Sequence, residues 1–285
     1  MCYNIDIVPK EKSASEYPFY DIPSPIAIVH RGGDAAGAEK ENSMAAFDSA
    51  YQRGIVYGET DTVATRDNVA LALHGAKNEK QAQKWGLPTR DEIQATTYAD
   101  VLRNVRVGGE VIPTLEEVLV TFPEMRFFID PKTEESVKPL ADLINKLHVQ
   151  DRVSIGAFSY DRTKAVAELA GGQRDVCTSL DAVGALALLG TGLRLPNAKK
   201  YLEGTQATSL QIGPESATNA LVTKNMIERA HDLGIHVIIW TPNTEATIAR
   251  ALDKGVHGVM SDRTELMKSI VLSRDPDNRS IHRNI

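Results

Sequence analysis

The sequence predicts an α/β protein folded as a (β/α)8 TIM barrel, on three observations. Short apolar runs alternate with amphipathic stretches, the pattern of repeated βα units that build a parallel sheet. The runs number eight, which is the count that closes such a barrel. Gly54, Gly171, Gly234 and Gly255 each stop a helical stretch shortly before a strand, so the helix-to-strand turns gather on one rim.

The expected strands are residues 26–30, 55–61, 126–130, 152–157, 175–179, 208–212, 235–241 and 258–261. Between them, residues 43–53 start at the capping residue Ser43, and residues 114–122 open with Thr-x-x-Glu, a capping box ahead of an apolar run. Residues 134–147, 161–170, 224–233 and 244–254 carry apolar side chains at three-to-four spacing and are expected as helices. Residues 75–111 are polar, with Trp85, Thr96-Thr97 and Gly108-Gly109, and are expected to form a small insertion after the second strand, over the barrel mouth. Residues 193–205, with Pro196-Asn197 and Lys199-Lys200, form a second, smaller expected loop. The predicted organisation is an N-terminal arm at 1–25, a barrel at 26–273 and a polar tail at 274–285 that is loose or packs on a partner. The arm can wrap its own barrel or a neighbour's, and a homo-oligomer stays open.

A chain of 285 residues is long for one average domain, but α/β barrels reach this length with a single core. The net charge of -6 offers nucleic acid no general attraction, so an anionic substrate needs a local basic or metal-containing pocket. Cys2 and Cys177 are the only cysteines, which excludes a disulfide framework. Residues 1–25 carry Asp6, Lys10, Glu11 and Lys12 in place of the apolar centre of a secretory signal. Residues 182–189 are broken by Gly184 and too short for a bilayer. A cytoplasmic location without stable membrane insertion is expected.

In a parallel barrel, chemistry sits at the carboxyl ends of the strands. His30, the pair Glu59 and Asp61, Asp130 and Trp240 all end predicted strands. Glu59 and Asp61 are two residues apart, so strand alternation sends both carboxylates to one side, and Asp130 can add a third oxygen from the neighbouring strand. Three carboxylates and no cysteine suit one hard cation, Mg²⁺ or Ca²⁺; taken alone, Glu-x-Asp is equally a solvated feature of a barrel mouth. Arg31 and Lys132 lie just past two strands, where a guanidinium fork and a point charge can hold a phosphate. His30 and His74 can move protons near neutral pH, and Glu41 can support either group. His148, His231, His236, His257 and His282 are read as structural or solvated.

The ordered set resembles the glycerophosphodiester phosphodiesterase family. The matching blocks are Ile28-Val29-His30-Arg31-Gly32-Gly33, Glu41-Asn42-Ser43, Gly58-Glu59-x-Asp61 and Ala72-Leu73-His74, followed by Ile112-Pro113-Thr114-Leu115, Phe128-Ile129-Asp130-x-Lys132, Val237-Ile238-Ile239-Trp240 and Gly258-Val259-Met260-Ser261-Asp262. The resemblance implies that Glu59, Asp61 and Asp130 bind a divalent cation and that His30 and His74 act as acid and base. It further implies that Arg31 and Lys132 contact phosphate, that Glu41 lies beside the metal or orients Arg31, and that Trp240 lines the wall for the alcohol group. The chain departs from the family pattern at Lys40, Asn68, Gly75 and Asp130, where Pro, Gly, Asp and Glu are usual. The expected reaction is hydrolysis of small glycerophosphodiesters to glycerol 3-phosphate and an alcohol. The alternatives are a diesterase or phospholipase D-like lyase acting on a lysophospholipid or a sugar phosphodiester, and a noncatalytic barrel that binds a phosphorylated ligand.

Overall fold

The computed structural model describes residues 12–192, 198, 202, 205–213 and 222–282. Among the described residues nine strands run in chain order: β1 (Ile26–Val29), β2 (Tyr57–Ala64), β3 (Ala70–Ala72), β4 (Arg126–Pro131), β5 (Val153–Ile155), β6 (Cys177–Leu180), β7 (Ser209–Ile212), β8 (His236–Trp240) and β9 (Gly258–Ser261). Eight of them pair in parallel, and β1 bonds to both β2 and β9, which closes the barrel. The ninth, β3, lies antiparallel on the far end of β2. Val69 to Leu73 is too short a run to separate from the loop around it by pattern, and the sequence did not announce this strand.

The expected helices form with shifts of one to three residues at their ends, the largest where a 3-10 turn at Glu134–Ser136 precedes the helix Val137–Leu147. Ser43 caps Met44–Tyr51, and Thr114 closes a full capping box with Glu117 at the start of Leu115–Thr121. Two further helices, Ala182–Gly192 and Thr264–Arg274, were not among the sequence expectations. The first is apolar on nearly every side and interrupted by glycine, so it shows no period to read. Pro196-Asn197 and Lys199-Lys200, like Cys2, lie outside the described residues.

Strand alternation divides the core. Ala27, Val29, Val237, Ile239 and Val259 point outward and pack under the helices. Ile26, Ile28, Tyr57, Phe128, Ile238 and Met260 point inward and fill the barrel. The lower end is plugged by the chain's own N-terminal segment, since Phe19 is fully buried among Tyr20, Tyr57 and Phe128, and the Tyr57 hydroxyl donates to the Phe19 carbonyl at 2.6 Å. Residues 12–25 therefore wrap their own barrel.

Two expectations need correction. Residues 75–111 are not a plain polar loop: they hold the helices Glu79–Trp85, Arg90–Ala95 and Tyr98–Asn104, each capped by Asn or Thr. Leu87, Ile93, Val101 and Val107 pack with Leu71 and Leu73 as a satellite core. Helices of six or seven residues are shorter than the window in which a helical period shows. The polar tail is not loose as far as His282: the buried Ser280 hydroxyl accepts from the Ala27 N–H at 2.9 Å, and Ile281 bridges to Ile55.

Candidate active site

The inward register that fills the barrel continues to its carboxyl rim. Two residues beyond Ile28 comes His30, beyond Tyr57 come Glu59 and Asp61, beyond Phe128 come Asp130 and Lys132, and beyond Ile238 and Met260 come Trp240 and Asp262. The charged side chains are thus the uppermost layer of the barrel interior. All of them but Asp262, together with His74 and Arg31, border a cavity of about 660 Å³. Of the residues expected at the site, only Glu41 does not line it; its carboxylate accepts from Arg31 at 2.9 Å.

His30 and Arg31 open a tight turn. Arg31 takes the left-handed φ of 52°, a conformation that costs a non-glycine residue energy and recurs at functional sites. Gly32 follows at φ 86°, and a Cβ there would stand 2.6 Å from the Ala46 Cβ, so this turn presses directly on the first helix. The Arg31 peptide N–H consequently donates to Glu59 Oε2 at 3.1 Å, while its guanidinium reaches Glu41 and lies 2.8 Å from Asp61 Oδ2.

Asp61 is 1% exposed and sits between two cations, with Lys132 Nζ 2.5 Å from its other oxygen. Lys132 also bonds Asp130 at 2.6 Å. Burial opposes ionisation of Asp61, but Lys132 and Arg31 outweigh it and hold its carboxyl well below the usual range. Asp130 moves the other way, raised chiefly by burial and also by Asp61, against the pull of Lys132. Glu59 is pushed up to about 7 by burial and then by the charge of Asp61. Its nearest side-chain cation is His30, with Nε2 at 3.7 Å.

The two histidines have opposite surroundings. His30 Nδ1 meets Asp262 Oδ1 at 2.6 Å, and Asn243 donates to the second Asp262 oxygen. Burial alone lowers the His30 pKa, yet Glu59 and the Asp262 bond overcome it and leave it raised. His74 is lowered to about 3 by burial, with Arg31, Lys132 and Arg90 adding to the shift against Asp61. Its Nδ1 is buried with no hydrogen-bond partner among the described residues, and its ring lies 5.4 Å from Trp85 of the insertion.

Sequence reasoning placed the main set and missed its supports. Asp262 follows β9 directly, so the strand-end rule that picked out His30 could have picked it out too. Asn42 donates to Asp61 at 3.2 Å and accepts from Thr60 at 2.8 Å, and its signal was only its place beside Glu41. Arg90 comes from the insertion and donates to the carbonyls of His74 and Gly75 at 3.1 and 3.2 Å. Gly75 has φ 60°, and a Cβ there would meet Arg90 Cγ at 2.9 Å. The glycine leaves room for an arginine to close over the His74 turn. Lys40, in place of proline, pairs with Glu110 of the insertion at 2.8 Å.

Among the described residues no group of three His, Cys, Asp or Glu side chains is already gathered to hold an ion. The donor chemistry nonetheless suits one. Glu41, Glu59, Asp61, Asp130 and Asp262 are five carboxylates against the fixed cations Arg31, Lys132 and Arg90. Glu59 is buried, lacks a fixed cation of its own, and resists ionisation for that reason.

A barrel with imidazoles, carboxylates and paired cations on its carboxyl rim belongs to the class of phosphate-ester enzymes built on this fold. The profile of the "Glycerophosphoryl diester phosphodiesterase family" matches residues 30–266, and the chain belongs to that family. It is 28% identical over 249 residues to "Probable glycerophosphodiester phosphodiesterase 2" of Mycobacterium tuberculosis, covering 87% of this chain and 91% of that one. It is 27% identical to lysophospholipase D GDPD1 of Homo sapiens, covering 82% of each chain. Among solved structures, an Oleispira antarctica phosphodiesterase in complex with the product sn-glycerol-3-phosphate superposes with a TM-score of 0.68 at 19% identity, covering 89% of this chain and 98% of that one. A glycerophosphodiester phosphodiesterase from Parabacteroides distasonis gives a TM-score of 0.69 at 19% identity, covering 89% of this chain and 99% of that one. These two likenesses show the closed barrel as the shared fold.

Proposed function

We propose that the protein hydrolyses glycerophosphodiesters to glycerol 3-phosphate and an alcohol, with one divalent cation, Mg²⁺ or Ca²⁺, held by Glu59, Asp61 and Asp130. The observation that carries this reading is the one cavity bordered by two imidazoles, two fixed cations and three carboxylates. Binding of a phosphorylated ligand alone needs the cations and has no use for a pair of proton carriers.

Arg31 and Lys132 meet the non-bridging oxygens of the diester, one as a planar fork and one as a point charge. Glu41 and Asp61 hold the guanidinium in place from two sides. His30 has its Nδ1 committed to Asp262, so its Nε2 is the atom that exchanges a proton with substrate or water. His74 serves the opposite transfer: one imidazole takes the proton of the attacking water and the other supplies one to the departing alkoxide. A bound cation would polarise a non-bridging oxygen and spread the charge that develops on phosphorus. Trp240 gives the alcohol group a flat apolar wall.

Among the described residues no helix is long and apolar enough to cross a membrane. A cytoplasmic site of action belongs to the same proposal. The test is an assay with glycerophosphocholine in the presence of Mg²⁺ or Ca²⁺ and again in excess chelator. Choline and glycerol 3-phosphate should appear only with the cation. Full activity in chelator removes the cation from the reading, and no turnover of any glycerophosphodiester overturns it.

A further inference from the structure

The inward register that sets charge on β1, β2 and β4 puts different chemistry on the opposite side of the barrel. On β6 and β7, Leu180, Leu210 and Ile212 point outward and pack under the helices, so Ser179, Asp181 and Gln211 point inward, and all three line the cavity. Ser179 stands opposite Ser209 and Leu180 opposite Leu210, and the same register carried one residue further sets Asp181 beside Gln211. The fixed cations that line the cavity, Arg31 and Lys132, and both of its histidines belong to the other side.

Gln211 and Asp181 are each held by bonds that leave one acceptor over. The Gln211 amide donates from Nε2 to Ser179 Oγ at 2.7 Å, and Ser179 is braced in turn by the Ser209 hydroxyl at 2.6 Å. A Cβ at Gly156, just past β5, would stand 2.7 Å from Gln211 Nε2 and 3.0 Å from Ser179 Oγ, so the glycine is what lets this pair fit. Asp181 Oδ1 accepts from the Val183 and Gly184 N–H groups, both at 3.0 Å. Gln211 Oε1 and Asp181 Oδ2 take no hydrogen bond among the described residues. Two neighbouring acceptors, one of them anionic, suit a cation that carries N–H groups.

Resting on the phosphodiesterase reading above, we infer that Gln211 and Asp181 are specificity-determining residues that choose among the alcohols esterified to the phosphate, selecting one whose primary ammonium donates to Gln211 Oε1 and Asp181 Oδ2. Trp240 lines the same cavity, and an indole attracts any ammonium, methylated or not, so the choice between them falls to the two acceptors. A quaternary ammonium has no N–H and leaves both acceptors unpaired. A site built around hydrogen bonds rejects an analogue without the donors more strongly than an apolar wall rejects one added methyl.

The test measures kcat/KM on the glycerophospho esters of ethanolamine, N-methylethanolamine, N,N-dimethylethanolamine and choline, which keep one charge and lose one N–H at each step. Two acceptors need two N–H groups, so kcat/KM should hold for the first two esters and then fall, leaving the choline ester about tenfold or more below the ethanolamine ester. Gln211→Met keeps the length of the side chain and removes its acceptor, and Asp181→Asn keeps the oxygen that accepts from Val183 and Gly184. Each should shrink the ethanolamine-to-choline ratio by about threefold or more, whereas a merely structural role would lower both rates alike. A flat series, or a preference for choline, overturns the assignment and leaves the phosphodiesterase reading standing. A ratio unchanged in either variant overturns it as well. A glycerol ester turned over faster than the ethanolamine ester gives the acceptors to hydroxyl groups and overturns the choice of an ammonium. Turnover of none of these diesters removes both readings together.

Discussion

Replacing Glu59 with Gln should make the protein more stable at pH 7.5 while destroying its activity, and the stability gain should vanish in acid. The carboxyl is buried and pushed up to about 7 from an ordinary value of 4.5, first by burial and then by Asp61. A carboxyl raised in this way keeps, in the folded state, a proton that the unfolded chain has already lost. Stability therefore falls as pH rises between the two values and stays low above the upper one. At about 1.4 kcal/mol for each factor of ten, the ionised Glu59 costs on the order of 2 to 3 kcal/mol near pH 7.5, once its coupling to Asp61 is allowed for. Gln keeps the oxygen that accepts the Arg31 N–H at 3.1 Å and removes only the charge. Urea unfolding followed by circular dichroism, in chelator, should show that gain at about pH 7.5 and almost none at about pH 4.5. Adding a divalent cation should return about 2.7 kcal/mol to the unmodified protein at a hundred times its dissociation constant, and far less to the variant. Equal midpoints at the higher pH, or a gain of the same size in acid, would refute the account of Glu59 as a buried carboxylate awaiting a cation.

His30→Ala and His74→Ala should each lower kcat by about a hundredfold to ten-thousandfold with the circular dichroism spectrum intact, and near-normal turnover in either variant removes that imidazole from the reaction. Asp262→Asn removes the anion bonded to His30 Nδ1 at 2.6 Å, so the limb of the pH–rate profile belonging to His30 should move to lower pH, and an unmoved limb denies Asp262 its hold on that imidazole. Asn243→Ala removes a donor that shares the Asp262 charge, so His30 should be held protonated more firmly and the same limb should move slightly to higher pH. Arg90→Ala unties the carbonyls of His74 and Gly75, and a smaller kcat without a larger KM would mark Arg90 as a positioning residue for His74.

The legible part of this molecule is the part written in strand alternation. A run such as Ile26-Ala27-Ile28-Val29-His30 says at once which residues enter the barrel and which side chain tops it, because the same period of two governs packing below and chemistry above. Glu59 with Asp61, and Asp130 with Lys132, were readable for the same reason. The sequence could not tell that Lys132 bonds both Asp61 and Asp130, since that depends on which strands are neighbours and at what register; Asp61 stands directly opposite Asp130 across β2 and β4. Arg90 and Trp85 were hidden for a stronger reason. They reach His74 from an insertion whose short helices hold together through Leu87, Ile93 and Val101, side chains too widely spaced to show a period. The reaction class was therefore written in local pattern, whereas the supports of its two histidines reside in contacts between distant segments.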